Sequence, residues 1–219
     1  MPTPEIAATY LAAHQRIDHL VRPLGPDELS RAVPACPGWT VHSVVSHLAA
    51  TPEWAAAGRL RGLPSDEDTA AQVTELADVP TAEVLDRWAT SAPGFAELVA
   101  AADIWPAAID AVTHEHDIRH GLGRPGDRDT ESVTTLAGLL LDWWSPSRAV
   151  EVVTPGRTVR RGPDDGDALR WTSTDFEVLR VRLGRRSRAQ LAALDWSSDP
   201  GAVLDELTVF PPSDADIDE

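Results

Sequence analysis

Apolar residues in this chain recur at helical spacing as far as Trp144 and in short alternating runs beyond Ser145, and this change of period constrains the fold more than any single motif. Ile6, Tyr10, Leu11, Ile17, Leu20 and Val21 predict a first helix over about 4–21, opened by Thr3-Pro4. Thr40 is the expected N-cap of a second helix, with Val41, Val44, Val45 and Leu48 as its buried stripe and His47 at the edge of that stripe. Pro64 to Pro80 reads as a weakly ordered acidic connection with room for a short helix. Helices are expected again over about Thr81 to Ala101, Trp105 to Gly121 and Thr130 to Trp144, the middle one closed by Gly-Leu-Gly-Arg-Pro. Beyond Ser145 the runs Ala149 to Thr154, Arg157 to Arg161 and Leu169 to Thr174 read as strands, separated by Pro155-Gly156 and by Gly162 to Gly166. Short helices are expected at Asp175 to Leu183, Ser187 to Leu194 and Pro200 to Leu207. The fold class is therefore α+β, with a helical bundle over 1–145, a small α+β domain over 146–212, and an acidic, proline-rich tail over 213–219 expected to be disordered.

Charge and cysteine content narrow the function. Acidic residues number 35 against 19 basic ones, a net charge of −16, which is the wrong sign for a protein that tracks phosphates; nucleic acid is not an expected partner. The basic cluster Arg180, Arg182, Arg185, Arg186 and Arg188 reads as a solvated or ion-paired helix face. No apolar run approaches the roughly 20 residues of a membrane span, and the first residues lack a basic start followed by an apolar stretch, so a cytoplasmic protein with no membrane partner is expected. The single cysteine, Cys36, excludes an internal disulfide and a cysteine-built zinc cage, and reads as an ordinary cysteine. Every basic residue is arginine, a bias expected of a GC-rich genome, and the lack of lysine excludes Schiff-base chemistry on that side chain.

Metal ligands would then be histidine and carboxylate, and these are concentrated. Asp110, His114, His116, Asp117 and His120 fall within eleven positions of one helix, while His47 stands on another. A metal site assembled across two helices of a bundle uses such a layout, a ligand pair one turn apart answered by a ligand on a facing helix. On a helical wheel Asp110, His114 and Asp117 lie within about 60° of one another, and His116 with His120 forms a separate stripe. Periodicity leaves both pairs open. Asp117 or Glu115 is a candidate to orient an imidazole, against the plainer reading of a solvated carboxylate. The tryptophans are expected in packing, with Trp39 or Trp54 candidates to line a pocket beside His47, and His14, His19 and His42 read as surface or locally satisfied groups.

The run PGWTVHSVVSHLA resembles the second-helix signature of the mycothiol-dependent maleylpyruvate isomerase family. That resemblance implies a DinB-like four-helix bundle and makes His47 a metal ligand. DAVTHEHDIRHGLGRPG is similar to the family's later motif, and alignment on Asp117 and Gly121-Leu122-Gly123 implies that Asp110 and His114 are the other ligands, with His116 and His120 as spectators. Asp110 stands where a longer glutamate is common. LRVRLGRRSRAQLAALDWSSDPGAVLDELTVF resembles the family's sterol-carrier-like C-terminal end, in which Arg185 is the candidate to bind an anionic group of substrate or cofactor. The implied cofactors are a divalent metal, zinc first, and mycothiol or a similar low-molecular-weight thiol. The implied activity is addition of a metal-activated thiolate to an electrophilic small molecule, giving isomerisation or thiol transfer. The competing expectation is a non-catalytic small-molecule-binding protein with a structural or vestigial metal site. The oligomeric state is not specified by the sequence.

Overall fold

A computed structural model of the chain describes residues 3–60, 62–201 and 203–219. It divides into two compact units, Met1–Pro125 and Gly126–Glu219.

In the first unit α1 (Thr3–Val21) buries Ile6, Tyr10, Ala13, Ile17 and Val21, the one-face spacing expected of an amphipathic helix. The side chains of the Thr3-Pro4 start signal lie outside the described residues. After the short α2 (Pro26–Leu29), α3 (Val41–Ala56) opens on Thr40, whose hydroxyl accepts from the Ser43 amide at 3.2 Å as expected of the N-cap. The acidic connection is more ordered than its composition implied. It holds an 11-residue helix, α4 (Asp66–Leu76), started by a reciprocal Ser65–Asp68 capping box and anchored by the buried Gln72 and Leu76. Helices α5 (Thr81–Ala102) and α6 (Trp105–Leu122) follow, the latter ending on Gly123 in the left-handed conformation at φ 65°.

Helices α1, α3, α5 and α6 form a closed ring of four, because α1 packs against both α5 and α6 while α3 packs against the same two; α4 lies against α3. Trp88 is fully buried between them and donates its indole N–H to Tyr10 Oη at 2.8 Å, so the largest core side chain leaves no unmet donor. Burial pushes the Tyr10 hydroxyl's pKa well above its ordinary value, against the opposing effect of the Trp88 hydrogen bond and with a smaller push from Asp110.

The second unit begins earlier than the change of period at Ser145. Helix α7 (Glu131–Asp142), expected to close the bundle, packs instead on α8 (Asp175–Arg182), because its apolar face, including Ala137 and Leu141, belongs to the same core as the sheet. That sheet has four strands in the order β2-β1-β3-β4, from β1 (Val150–Thr154), β2 (Arg157–Arg161), β3 (Leu169–Thr172) and β4 (Asp195–Trp196). The Pro155-Gly156 turn joins β1 and β2 as an antiparallel hairpin, while β1 and β3 run parallel. Alternate residues Val150, Val152, Leu169 and Trp171 face a core shared with Val178, Val181 and Leu191, the last from α9 (Arg188–Ala192). A last turn of helix, α10 (Val203–Glu206), adds Val203 and Leu204.

Two sequence expectations for this unit are corrected. The tail over 213–219 is not loose: Ser213 pairs with Ser187, Ile217 is buried, and the Glu219 carboxylate sits between the guanidinium groups of Arg180 and Arg186. Of the basic cluster, Arg180, Arg186 and Arg188 are ion-paired, one of the two readings expected, but Arg180, Arg182 and Arg186 are buried rather than solvated. Arg182 is the odd one, donating to the backbone carbonyls of Leu140 and Leu207 and lying against the Trp144 ring; desolvation pushes its pKa down to about 10. Among the described residues no helix is long and apolar enough to cross a membrane.

Candidate metal centre

Helix α6 carries Asp110, His114 and Asp117 on one face, and α3 presents His47 to the same point. His47 Nε2 lies 3.2 Å from Asp110 Oδ2 and His114 Nε2 lies 3.4 Å from Asp110 Oδ1, so one carboxylate is flanked by two imidazoles. The two rings meet edge to face with centroids 5.5 Å apart. Both histidines are buried, whereas the Asp110 side chain is 37% exposed and marks the side open to solvent.

Each imidazole is held from behind by a different kind of group. His47 Nδ1 is 2.7 Å from Oε1 of the fully buried Gln72 on α4, and an amide oxygen only accepts, so Nδ1 carries the proton and Nε2 offers its lone pair to the centre. His114 Nδ1 is 3.0 Å from Oδ2 of the fully buried Asp117, three residues along α6, which fixes the same tautomer. Glu115, the other candidate orienter, is committed elsewhere: its buried carboxylate receives Arg16 from α1 and Arg119 one turn on. In the metal-free protein burial opposes a charged His47, but the attraction of Asp110 and the hydrogen bonds to Asp110 and Gln72 outweigh it and raise the pKa.

The loop from Ala32 to Thr40 roofs the centre. It closes on itself through Val33 N to Trp39 O, Cys36 N to Val33 O and Trp39 N to Cys36 O, turning at Gly38 with φ 84°. Gly121 on α6 is what lets the loop lie down, since a Cβ there would meet Ala32 O at 3.1 Å and Val33 Cγ2 at 3.3 Å. Trp39 thereby stacks on His114 with centroids 6.2 Å apart and tilts over His47 at 5.4 Å. Trp54, the other aromatic candidate, instead donates to Glu75 and lies under Arg59. The loop also places Cys36 Sγ 3.6 Å from His114 Nδ1 and 3.5 Å from Asp117 Oδ2.

The donor atoms suit an ion. Metal–nitrogen and metal–oxygen bonds of about 2.0–2.2 Å at tetrahedral angles hold their donors roughly 3.3–3.5 Å apart. The two histidine–aspartate separations, 3.2 Å to Oδ2 and 3.4 Å to Oδ1, fall close to that range. His116 and His120 enter no such grouping among the described residues, and His42 is occupied with Thr81 Oγ1 and the Leu76 carbonyl. Arg185 belongs to the second unit, half-buried, with its guanidinium donating to the Leu183 carbonyl.

The sequence profile described as mycothiol maleylpyruvate isomerase N-terminal domain matches residues 10–144, well over half of the chain. The chain belongs to this family. Among solved structures, the crystal structure of the mycothiol-dependent maleylpyruvate isomerase shares the fold at a TM-score of 0.59 and 15% identity, covering 84% of this chain and 90% of that one. A point mutant of that protein matches at the same TM-score and coverage with 14% identity. The fold shared with these two is α+β. A search of curated proteins finds no match.

Proposed function

We propose that this chain is a metal-dependent enzyme that adds the thiolate of mycothiol, or of a similar low-molecular-weight thiol, to an electrophilic small molecule. The observation that carries the reading is the convergence of His47 Nε2, His114 Nε2 and the Asp110 carboxylate, with both Nδ1 atoms turned away onto acceptors. The thiol class follows from the family and from the two structural relatives, which are mycothiol-dependent.

His47, Asp110 and His114 would hold a divalent cation, zinc first. An ion held there would supply Lewis-acid chemistry, lowering the pKa of a thiol so that it would be a thiolate at neutral pH. The proton that the incoming thiol gives up would leave to solvent at the open side marked by Asp110. Trp39 walls one side with an apolar face, excluding water from the sulfur. The thiolate then forms a carbon–sulfur bond to an activated alkene. Reversal after rotation about the former double bond returns the isomer with the thiol released, while protonation of the adduct gives net transfer. Arg185 is the side chain proposed to bind an anionic group of thiol or substrate.

The test is to supply the metal-loaded protein with mycothiol and a panel of enone acids, following geometric isomerisation by chromatography and net addition by loss of the conjugated chromophore. Acceleration that is lost in His47→Ala supports the reading. Rates equal to the uncatalysed reaction across the panel, with the ion fully loaded, would make the chain a binding protein instead.

A further inference from the structure

His114 has two nitrogens, and the structure surrounds each with a separate set of donors. Nε2 faces Asp110 and His47, whereas Nδ1 faces Cys36 Sγ at 3.6 Å and Asp117 Oδ2 at 3.0 Å, with Sγ and Oδ2 3.5 Å apart. Cys36, His114 and Asp117 thus form a second grouping of ligand type, sharing only His114 with the first.

The triangle has the dimensions of a coordination face. A tetrahedral ion with a metal–sulfur bond of about 2.3 Å and a metal–nitrogen bond of about 2.0–2.1 Å places sulfur and nitrogen roughly 3.5–3.6 Å apart, and sulfur and oxygen roughly 3.5–3.7 Å apart. Two of the three observed separations are at these values, and the nitrogen–oxygen edge must open by only a few tenths of an ångström. The charges also close. A thiolate and a carboxylate neutralise a divalent ion, which suits a set whose aspartate is fully buried, since net charge there is costly. The first grouping, with one carboxylate, keeps a net positive charge and invites an outside anion. The sulfur donor selects soft, thiophilic cations over hard ones.

We propose that Cys36, His114 Nδ1 and Asp117 form an alternative site for a thiophilic divalent cation, and that this site and the His47–Asp110–His114 centre exclude one another. Neutral imidazole has one lone pair to give. When the ion bonds to Sγ, Nδ1 and Oδ2, the thiol proton leaves to solvent and the Nδ1 proton moves to Nε2, where it points at Asp110 Oδ1 and can no longer serve the first centre. One proton is released overall. A soft cation therefore withdraws a ligand from the proposed catalytic metal without touching the open side of the site. The exclusion rests on the proposed ligand role of His114, whereas the sulfur-containing site does not.

The probe is Cd2+ added to the metal-free full chain, read by thiolate-to-cadmium ultraviolet absorption. The band should reach one equivalent in wild type and in His47→Ala, and be lost in Cys36→Ser, which should still bind Co2+ at the first centre. In Co2+-loaded wild type, the Co2+ absorption should fall in step as the cadmium–thiolate band grows. A band absent from both wild type and His47→Ala overturns the site. A full band beside fully bound Co2+ overturns the exclusion. Should Co2+ bind His47→Ala as tightly as wild type while the cadmium band stands, the sulfur site is supported and the reading of the first centre fails.

Discussion

His47 Nδ1 and Gln72 Oε1 lie 2.7 Å apart, joining the middle of α3 to a fully buried amide on α4. A helix inside the connection between two bundle helices thereby sets the tautomer of a candidate metal ligand. Gln72→Leu removes the acceptor and is expected to weaken metal binding roughly 10–100-fold, the usual cost of losing an outer partner. Gln72→Glu keeps the acceptor and should hold affinity at or above wild type. Competition with a chromophoric chelator measures both, and equal losses in the two variants would refute a positioning role.

The same assay separates the proposed ligands from the bystanders. His47→Ala and His114→Ala should lose most metal affinity, as should Asp110→Ala, because its carboxylate lies between the two rings at 3.2 and 3.4 Å. His42→Ala, His116→Ala and His120→Ala should keep the ion. Retention by His114→Ala with loss in the His116/His120 double variant would move the site to the other stripe of α6.

Acidity should weaken the centre from a pH above the ordinary imidazole value. Metal and proton compete for His47 Nε2, and burial is outweighed by Asp110 and the hydrogen bonds to Asp110 and Gln72, so the pKa sits above 6.5. Affinity measured against pH should be flat above that raised value and fall about tenfold per pH unit below it, for one proton. In the metal-free chain the same raised pKa contributes stability that is complete below 6.5 and is lost as pH rises through the raised value. Chemical denaturation of apo protein across that window should therefore show a decline absent from His47→Gln.

Removing the end of the chain should cost stability. Glu219→Ala takes a buried carboxylate from between Arg180 and Arg186, and breaking a buried pair this way typically costs about 3–5 kcal/mol. Urea unfolding measures it. A change of a few tenths would mean that Glu177, already paired with Arg186, carries the cluster alone.

Four bundle helices and three long strands were legible because each keeps one period over enough residues to signal burial. The juxtaposition of His47 with Asp110 and His114 was legible as well, but through a motif resemblance rather than through the wheel, which left His116 and His120 open. Asp117 and Glu115 could not be told apart by spacing. What separates them is Arg16, which arrives from α1 and takes Glu115, a contact between helices nearly a hundred residues apart. Gln72 carried no signal, since a neutral amide in an acidic stretch fits no pattern. The tail misled for the opposite reason: its acidic composition argues disorder, and only the buried arginines of α8 and its following loop give those charges somewhere to go.

The two imidazoles differ in what must unfold to release them. His114 is steadied from within α6, by Asp117 three residues on, whereas His47 depends on α4, a separate three-turn element that meets α3 through Gln72, Glu75 and Leu76. Opening of α4 would therefore free one proposed ligand and leave the other in place, linking ion occupancy to the local order of α4. Loading the centre should slow amide hydrogen exchange across Asp66–Leu76 far more than across α6, making that short helix the part of the fold that reports whether the metal is there.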